Sequence, residues 1–305
     1  MISRRVHFIL VLPVAFAMAA CTGGEPSTAE SESSGISVEI FAPGHVNSTW
    51  PEFGIAFSVT GDTVYYNRTN VNRTGLAIMR SIRTDGEWKI PEVAPFSGEF
   101  FDILPFVAPD GSIFFSSRRI NPDTKAESLD NMLYLANGSV VRLPGLLNSD
   151  STESFVSVTL DGSIVFESNR SGANQMLISR MENGARLDPE PILIPGVREP
   201  GNPLIAEDGS MIVFVDAAGE SSNLHFSCKV EGGWSISERL PGPINSSYDD
   251  FAPSRDRDGF LYFSSQRPGM VQVVDERQEG SRPSDIYKSS LNLATLCAAS
   301  EQASS

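Results

Sequence analysis

A turn of two residues, Asp-Gly or Thr-Gly, followed within two residues by a strongly apolar segment, occurs five times in the chain. The turns begin at Thr60, Asp110, Asp161, Asp208 and Asp258, so successive copies are separated by 50, 51, 47 and 50 residues. A repeat of this length that runs through most of a 305-residue chain is typical of folds in which each unit packs against the next. The repeat therefore constrains the whole fold before any single element is considered.

Each unit is predicted to contain four short antiparallel strands. An Asp-Gly turn between β-branched and aromatic segments predicts a hairpin, because the turn needs positive φ. The apolar segments are continuous, as expected for strands that are covered on both faces. In the last two units the predicted strands are 251–254, 260–265 and 285–289, with 234–240 as the fourth strand of the preceding unit. Four strands per unit of about 50 residues indicate an all-β fold, a β-propeller.

The fifth unit ends after its third strand, and the start of the chain supplies a matching segment. Residues 37–43 followed by 44–50 align with 236–241 followed by 242–248. We therefore predict five four-stranded blades in a single domain, 36–297, closed by the N-terminal strand, with a disordered polar tail at 298–305. Six blades are the alternative.

The units resemble the WD40-like repeats of TolB-type β-propellers. The shared pattern is an acidic residue, an apolar-Pro-Ser strand, an Asp-Gly turn, an apolar strand and Ser-x-Arg, and it is most complete in residues 250–254, 258–259, 261–267 and 285–287. The resemblance covers about residues 36 to 292, although the fourth unit is degenerate. It implies a propeller, and because TolB itself is usually six-bladed it also keeps six blades open as the alternative.

The first 35 residues are predicted to be a targeting segment and a tether. Arg4 and Arg5 precede an apolar stretch from Val6 to Ala20, which is typical of a secretory signal. Residues 18–21, Met-Ala-Ala-Cys, resemble the cleavage box of bacterial lipoproteins. The resemblance implies a signal peptide at 1–20, a lipidated Cys21 and, since Thr22 follows, an outer-membrane anchor facing the periplasm. The polar segment 21–35 then forms a flexible tether.

Composition and motifs exclude several classes of partner. The formal charge is −15 and the arginines are scattered, so nucleic acid is an unfavourable ligand. The sequence has no His-Glu-x-x-His pattern and no phosphate-binding glycine loop, and residues 256–259 lack the further ligands of a calcium loop. We predict neither a cofactor nor a resident metal. We expect a monomer whose partner is an envelope protein or a polysaccharide.

Charged residues recur at two positions of the repeat. An acid stands eight residues before the turn in four units, and an arginine follows the turn by eight or nine residues; the fourth unit has Pro200 and Asp216 instead. The joint loss predicts structural cross-strand ion pairs. The predicted pairs are Glu52–Arg68, Asp102–Arg118, Glu153–Arg170 and Asp250–Arg267. In the alternative interpretation, Asp102, Glu153 and Asp250 are catalytic carboxylates of a glycoside hydrolase-like enzyme.

Two further sets of residues are candidates. Trp50, Phe100 and Tyr248 stand two residues before an acid, so they are expected at one mouth of the channel, where they would bind a sugar or a peptide or else pack in the core. Cys228 and Cys297 either form a disulfide or remain free thiols. The leading functional hypothesis is a lipid-anchored, non-catalytic binding module, and the alternative is a carbohydrate-active enzyme.

Overall fold

Small antiparallel sheets, each built around one hairpin of the repeat, make up the described part of the chain. The computed structural model describes residues 35–69, 75–121, 125, 127–272 and 283–297. The predictions for the signal peptide 1–20, Cys21 and the tail 298–305 lie outside the described residues, as does the predicted tether apart from Gly35.

The strands are numbered along the chain. β1 is Val38–Ile40. Blade 1 contains β2 (Glu52–Phe57), β3 (Thr63–Thr69), β4 (Leu76–Thr84), β5 (Glu87–Trp88) and β6 (Glu92–Val93). Blade 2 contains β7 (Asp102–Val107), β8 (Ile113–Ser117), β9 (Asp130–Tyr134) and β10 (Val140–Arg142). Blade 3 contains β11 (Glu153–Val158), β12 (Ile164–Ser168), β13 (Gln175–Ser179), β14 (Met181–Glu182), β15 (Ala185–Arg186) and β16 (Glu190–Pro191).

Blades 4 and 5 follow the same order. Blade 4 contains β17 (Pro200–Ile205), β18 (Met211–Asp216), β19 (Asn223–Val230), β20 (Gly233–Trp234) and β21 (Glu238–Arg239). Blade 5 contains β22 (Asp250–Arg255), β23 (Phe260–Ser265) and β24 (Asp285–Asn292). In each blade the strand after the loop from the preceding blade is the innermost, and the later strands lie progressively outward.

The ring is closed by the N-terminal strand, as the sequence predicted. β1 pairs antiparallel with β24, with Val38 opposite Ser289 and Ile40 opposite Tyr287. The inner strands β2, β7, β11, β17 and β22 contact one another in turn, and β2 also contacts β22. The prediction of a five-bladed β-propeller is confirmed, and the six-bladed alternative is wrong for this chain.

One aromatic ring from the second strand of each blade is completely buried between the sheets. These five residues are Tyr66, Phe115, Phe166, Phe214 and Phe263. Removing one such side chain from water stabilises the fold by roughly 1.5–3 kcal/mol, and a single blade cannot cover both faces of its own sheet. The apolar segments after the turns therefore pack only when neighbouring blades are present.

A bulge at the third residue of every inner strand narrows the channel. Gly54, Leu104, Phe155, Asn202 and Ala252 all have φ between 47° and 60°, and the pairing with the second strand shifts at each of them. Such bulges bend a strand and redirect its side chains. The space between these bulges is a cavity of only about 30 Å³. The two ends of the channel are therefore separate sites.

The C-terminal residues are tied to blade 4 by a disulfide. Cys228 in β19 is bonded to Cys297 in a single helical turn, 294–297. Of the two states that the sequence left open, the structure has the bonded one. The crosslink closes a loop with a sequence separation of 69 residues that includes β22, β23 and β24 of blade 5.

Replacing Cys297 by serine in a Cys21→Ser background is expected to lower the free energy of unfolding by up to about 4 kcal/mol, because the unfolded chain regains the entropy of the open loop. Urea unfolding followed by circular dichroism measures this difference. Reductant should destabilise the parent to the level of the variant and leave the variant unchanged. An equal response of both proteins to reductant would contradict the prediction.

Candidate functional site

Four carboxylates at the first position of an inner strand are completely buried, and each contacts an arginine. The shortest nitrogen to oxygen distances are 2.6 Å for Glu52–Arg68, 2.5 Å for Asp102–Arg119, 3.3 Å for Glu153–Arg170 and 2.7 Å for Asp250–Arg267. The buried negative charge is thus paired in every blade that carries it, as a buried charge must be.

Each arginine also holds the loop that arrives from the preceding blade. The guanidinium groups donate to the carbonyl oxygens of Val46, Phe96, Leu146 and Ile244. A serine four residues before the acid adds a backbone and a hydroxyl hydrogen bond to the carboxylate in three blades; these residues are Ser48, Ser149 and Ser246. One carboxylate therefore joins the inner strand, the second strand and the connection between two blades.

One of the four predicted pairs is wrong. Asp102 is bound by Arg119, whereas Arg118 lies over the ring of Phe101 at 4.5 Å. The predicted register holds only in blade 1, where Glu52 is opposite Arg68. In blades 2, 3 and 5 the acid is opposite a serine, and the arginine two residues beyond that serine reaches back to the acid. The turn between the paired ends of the two strands has six residues in blade 1 and five in blades 2, 3 and 5, so the register differs by one residue.

Burial changes the titration of these acids. Desolvation raises the pKa of Glu52 to about 7, although Arg68 and Ser48 act in the opposite direction. The pKa of Asp102 is raised for the same reason, against the opposing effect of Arg119. Such shifts also occur in catalytic acids, but here the carboxylates contact only groups of the scaffold.

The alternative hypothesis makes three of these acids catalytic. Asp102, Glu153 and Asp250 are each completely buried and ion-paired, and none of them lines a described cavity. A glycosidase needs two carboxyl groups that reach the substrate from either side of the scissile bond. These acids are positioned to hold the blades together.

A recurring asparagine was missed at the sequence level. Asn47, Asn148 and Asn245 stand five residues before an acid, and each side chain bonds both the N–H and the C=O of one residue in the third strand of the preceding blade. In Asn47 and Ile286, for example, both distances are 2.8 Å. The signal was available, because Asn-Ser occurs at 47–48, 148–149 and 245–246.

A cavity of about 330 Å³ opens at the end of the channel where the inner strands begin. The rings of Phe53, Phe155 and Phe251 form its apolar wall, and Glu199 and Asp249 bring two carboxylates to it. Its other polar lining residues are Asn174, Asn202, Ser222, Gln266 and Ser284. Aromatic walls with a few converging polar groups are typical of ligand sites.

The cavity lies beside blade 4, the one blade that lacks the acid and the arginine. Pro200 is paired with Asp216 at the position of the ion pair. The next residue is Gly201, whereas the corresponding residues of blades 1 and 5 are Phe53 and Phe251. Glycine at this position leaves room for the side chain of Glu167. The degenerate unit of the repeat therefore coincides with the asymmetric site.

Partly buried Glu167 supports the wall of this cavity. Its Oε2 accepts hydrogen bonds from the backbone N–H and the side-chain amide of Asn202, at 2.7 and 3.3 Å. A Cβ atom at Gly201 would lie 2.8 Å from the same oxygen, so only glycine fits beside it. Burial raises the pKa of Glu167. Sequence analysis did not identify Glu167, because the other blades carry Asn, Ser or Val at this position.

The three predicted mouth aromatics do not line the cavity. Phe100 is 38% exposed and lies 4.7 Å from the guanidinium of Arg119. Tyr248 is 45% exposed, and Trp50 is partly buried. The aromatic rings that do line the cavity are those of Phe53, Phe155 and Phe251. Each belongs to the second or third residue of an inner strand.

The opposite end of the channel holds further cavities. Val59, Phe106 and Leu160 contribute to a cavity of about 300 Å³ there. It adjoins a second cavity of about 340 Å³, which is lined in part by Cys297 and shares Arg255 and Glu207 with the first. These two charged residues are bound to each other at 2.5 Å, so their charges are already paired.

No three His, Cys, Asp or Glu side chains within the ranges given above converge as metal ligands. No helix in those ranges is long and apolar enough to cross a bilayer.

Comparison with known proteins supports the fold. No protein-family model matches the chain, and no curated protein matches it. TolB from Acinetobacter baumannii is 16% identical with a TM-score of 0.50, over 80% of this chain and 55% of that protein. A TolB-like protein from Agrobacterium tumefaciens is 16% identical with a TM-score of 0.46, over 71% of this chain and 70% of that protein. A gluconolactonase from Xanthomonas campestris is 13% identical with a TM-score of 0.45, over 80% and 87% respectively.

These similarities define the architecture only. The protein is a five-bladed β-propeller with TolB-type structural neighbours, and it spans about half the length of the Acinetobacter TolB. Because unrelated activities occur on propellers, function has to be argued from the site.

Replacing Arg119 by alanine is expected to lower the free energy of unfolding by about 3–5 kcal/mol, because it leaves Asp102 buried without its cation. Arg80→Ala is the matched control: it breaks the ion pair with Glu92, whose side chain is 63% exposed, and should cost less than about 1 kcal/mol. Chemical denaturation of the three proteins measures both changes. Equal losses in the two variants would contradict the structural role of the buried pair.

Glu52 is expected to make stability depend on pH. Its pKa is about 7 in the folded protein and 4.5 in an unfolded chain, so the folded state binds this proton more tightly. The resulting stabilisation is complete below about pH 4.5 and is lost as the pH rises through 7. Glu52→Gln should reduce the decline in unfolding free energy across this window, measured by denaturant titrations at several pH values. Glu92→Gln is the exposed control, and an unchanged decline in Glu52→Gln would refute the assignment.

Proposed function

We propose that this protein is a lipid-anchored β-propeller of the bacterial cell envelope that binds a protein or polymer partner without catalysing a reaction. The observation that carries the proposal is the state of the recurring acids: each is buried and bound to an arginine and to the loop between blades. The residues that would otherwise suggest an enzyme are therefore accounted for by the scaffold.

The cavity beside blade 4 is the binding site in this proposal. It is open to solvent, it has an aromatic wall, and its two lining carboxylates form no ion pair among the described residues. Rigid scaffolds that present a site on loops and strand ends are well suited to binding. The site breaks the fivefold pattern, as a site for one particular ligand must.

Location in the envelope is proposed from the first residues of the sequence. Cys21 follows Met-Ala-Ala, and a polar segment separates it from β1. Acyl chains on Cys21 would anchor the protein, since each buried methylene contributes about 0.8 kcal/mol. The anchor is proposed to lie in the outer membrane, with the propeller in the periplasm. We propose that the propeller acts as a monomer on its tether and needs neither cofactor, resident metal nor nucleic acid.

The anchor is tested by expressing tagged full-length protein with Cys21→Ala in a Gram-negative host. The variant is expected to leave the membrane fraction for the soluble fraction, because it has no acylation site. Thr22→Ala keeps Cys21 and is the matched control, which should remain in the membrane fraction. Continued sedimentation of Cys21→Ala with membranes would contradict lipid anchoring.

Partner binding is tested by affinity capture of the tagged protein from cross-linked envelopes. A defined protein or polysaccharide should be recovered with the wild-type protein. Release of sugar from an envelope polysaccharide by the purified protein, abolished by Asp250→Asn, would instead establish the carbohydrate-active alternative.

A further inference from the structure

We infer that the cavity beside blade 4 binds an organic cation, a protonated amine or a guanidinium group carried by an apolar or aromatic body. This inference rests on the proposed binding role and specifies the chemistry of the ligand. It depends on three features of the cavity: unpaired carboxylates, phenyl rings and hydrogen-bond acceptors.

The carboxylates of Glu199 and Asp249 differ from the four buried acids that are paired with arginines. Glu199 is exposed, and Asp249 is only partly buried, with Oδ1 accepting a hydrogen bond of 2.8 Å from the backbone N–H of Ser222. Neither forms a salt bridge within the part of the chain that the structure describes. No lysine, arginine or histidine is among the described residues that line the cavity. A cation therefore complements the charge of the described lining.

The apolar wall selects an organic cation. The ring centroids of Phe53 and Phe251 are 6.4 Å apart, and Phe155 lies on a third inner strand at the same cavity. The face of an aromatic ring attracts a cation within about 6 Å of its centroid. Phenyl rings also cover the apolar part of a ligand, which a hydrated metal ion does not have. Within the described residues, no three His, Cys, Asp or Glu side chains converge as ligands for an inorganic ion.

Side-chain oxygens can accept the N–H groups of such a ligand. The amides of Asn174, Asn202 and Gln266 line the cavity together with the hydroxyls of Ser222 and Ser284. Glu167 fixes the amide and the backbone of Asn202 from behind. The volume of about 330 Å³ is at the lower end of the range for ligand sites, so one side chain or one small molecule would fill it.

The test uses 2-phenylethylammonium and its neutral analogue 2-phenylethanol as probes, with binding to the soluble chain from residue 22 measured by isothermal titration calorimetry and ligand-observed NMR. The cation should bind saturably and about tenfold more tightly than the alcohol, as two partly screened charges and a ring contact would give. Glu199→Gln combined with Asp249→Asn should remove this preference and leave the affinity for 2-phenylethanol unchanged.

A control variant, Glu182→Gln with Glu231→Gln, removes the same charge from exposed positions that do not line the cavity. It should bind both probes as the parent does, and thermal unfolding should show that both double variants remain folded. Equal affinity for the two probes, equal loss of cation binding in both double variants, or no saturable binding of the cation at millimolar concentration would overturn the inference.

The experiments distinguish failure of the cation site from failure of the proposed partner binding. Capture of a partner that is independent of Glu199 and Asp249 would overturn the cationic site and leave the binding module intact. Saturable cation binding with no envelope partner recovered would support the site and count against the proposed partner binding.

Discussion

The buried carboxylate at the start of an inner strand is the interaction on which the propeller most depends. In blades 1, 2, 3 and 5 it is desolvated, bound to an arginine of the adjacent strand, and linked through that arginine to the carbonyl of the loop from the preceding blade. A buried charge with one partner removed is strongly unfavourable, so the pair fixes strand and loop together. The asparagine five residues before the acid of blades 1, 3 and 5 adds a second connection, to the third strand of the preceding blade.

Blade 4 shows what happens where this interaction is absent. Pro200 and Asp216 replace the pair, Gly201 replaces a larger side chain, and the cavity at the mouth has two carboxylates without an ion pair among the described residues. The disulfide between Cys228 and Cys297 adds a covalent connection to the same blade. The unit that departs most from the repeat thus combines extra covalent support with the asymmetric cavity.

Sequence reasoning was accurate where a pattern recurs. The number of blades, the closure by the N-terminal strand and the arginine partners of Glu52, Glu153 and Asp250 all correspond to periodic features of the chain. Arg118 was chosen in place of Arg119 because the two arginines are adjacent and the turn of blade 2 is one residue shorter than that of blade 1, which shifts the register. Glu167 was missed since it occurs in one blade only, and the cavity acids Glu199 and Asp249 were missed since an acid directly before the inner strand occurs only in blades 4 and 5.

The sequence by itself determined the architecture, because a unit with two apolar faces repeated at a regular interval can bury those faces only against its own copies. The tertiary structure alone decided which charges remain available. Glu52 and Asp249 are both acids near the start of an inner strand, yet one is enclosed with an arginine and the other lines an open cavity. That difference arises from strand register, bulges and the side chains of neighbouring blades, which come together only when the ring closes.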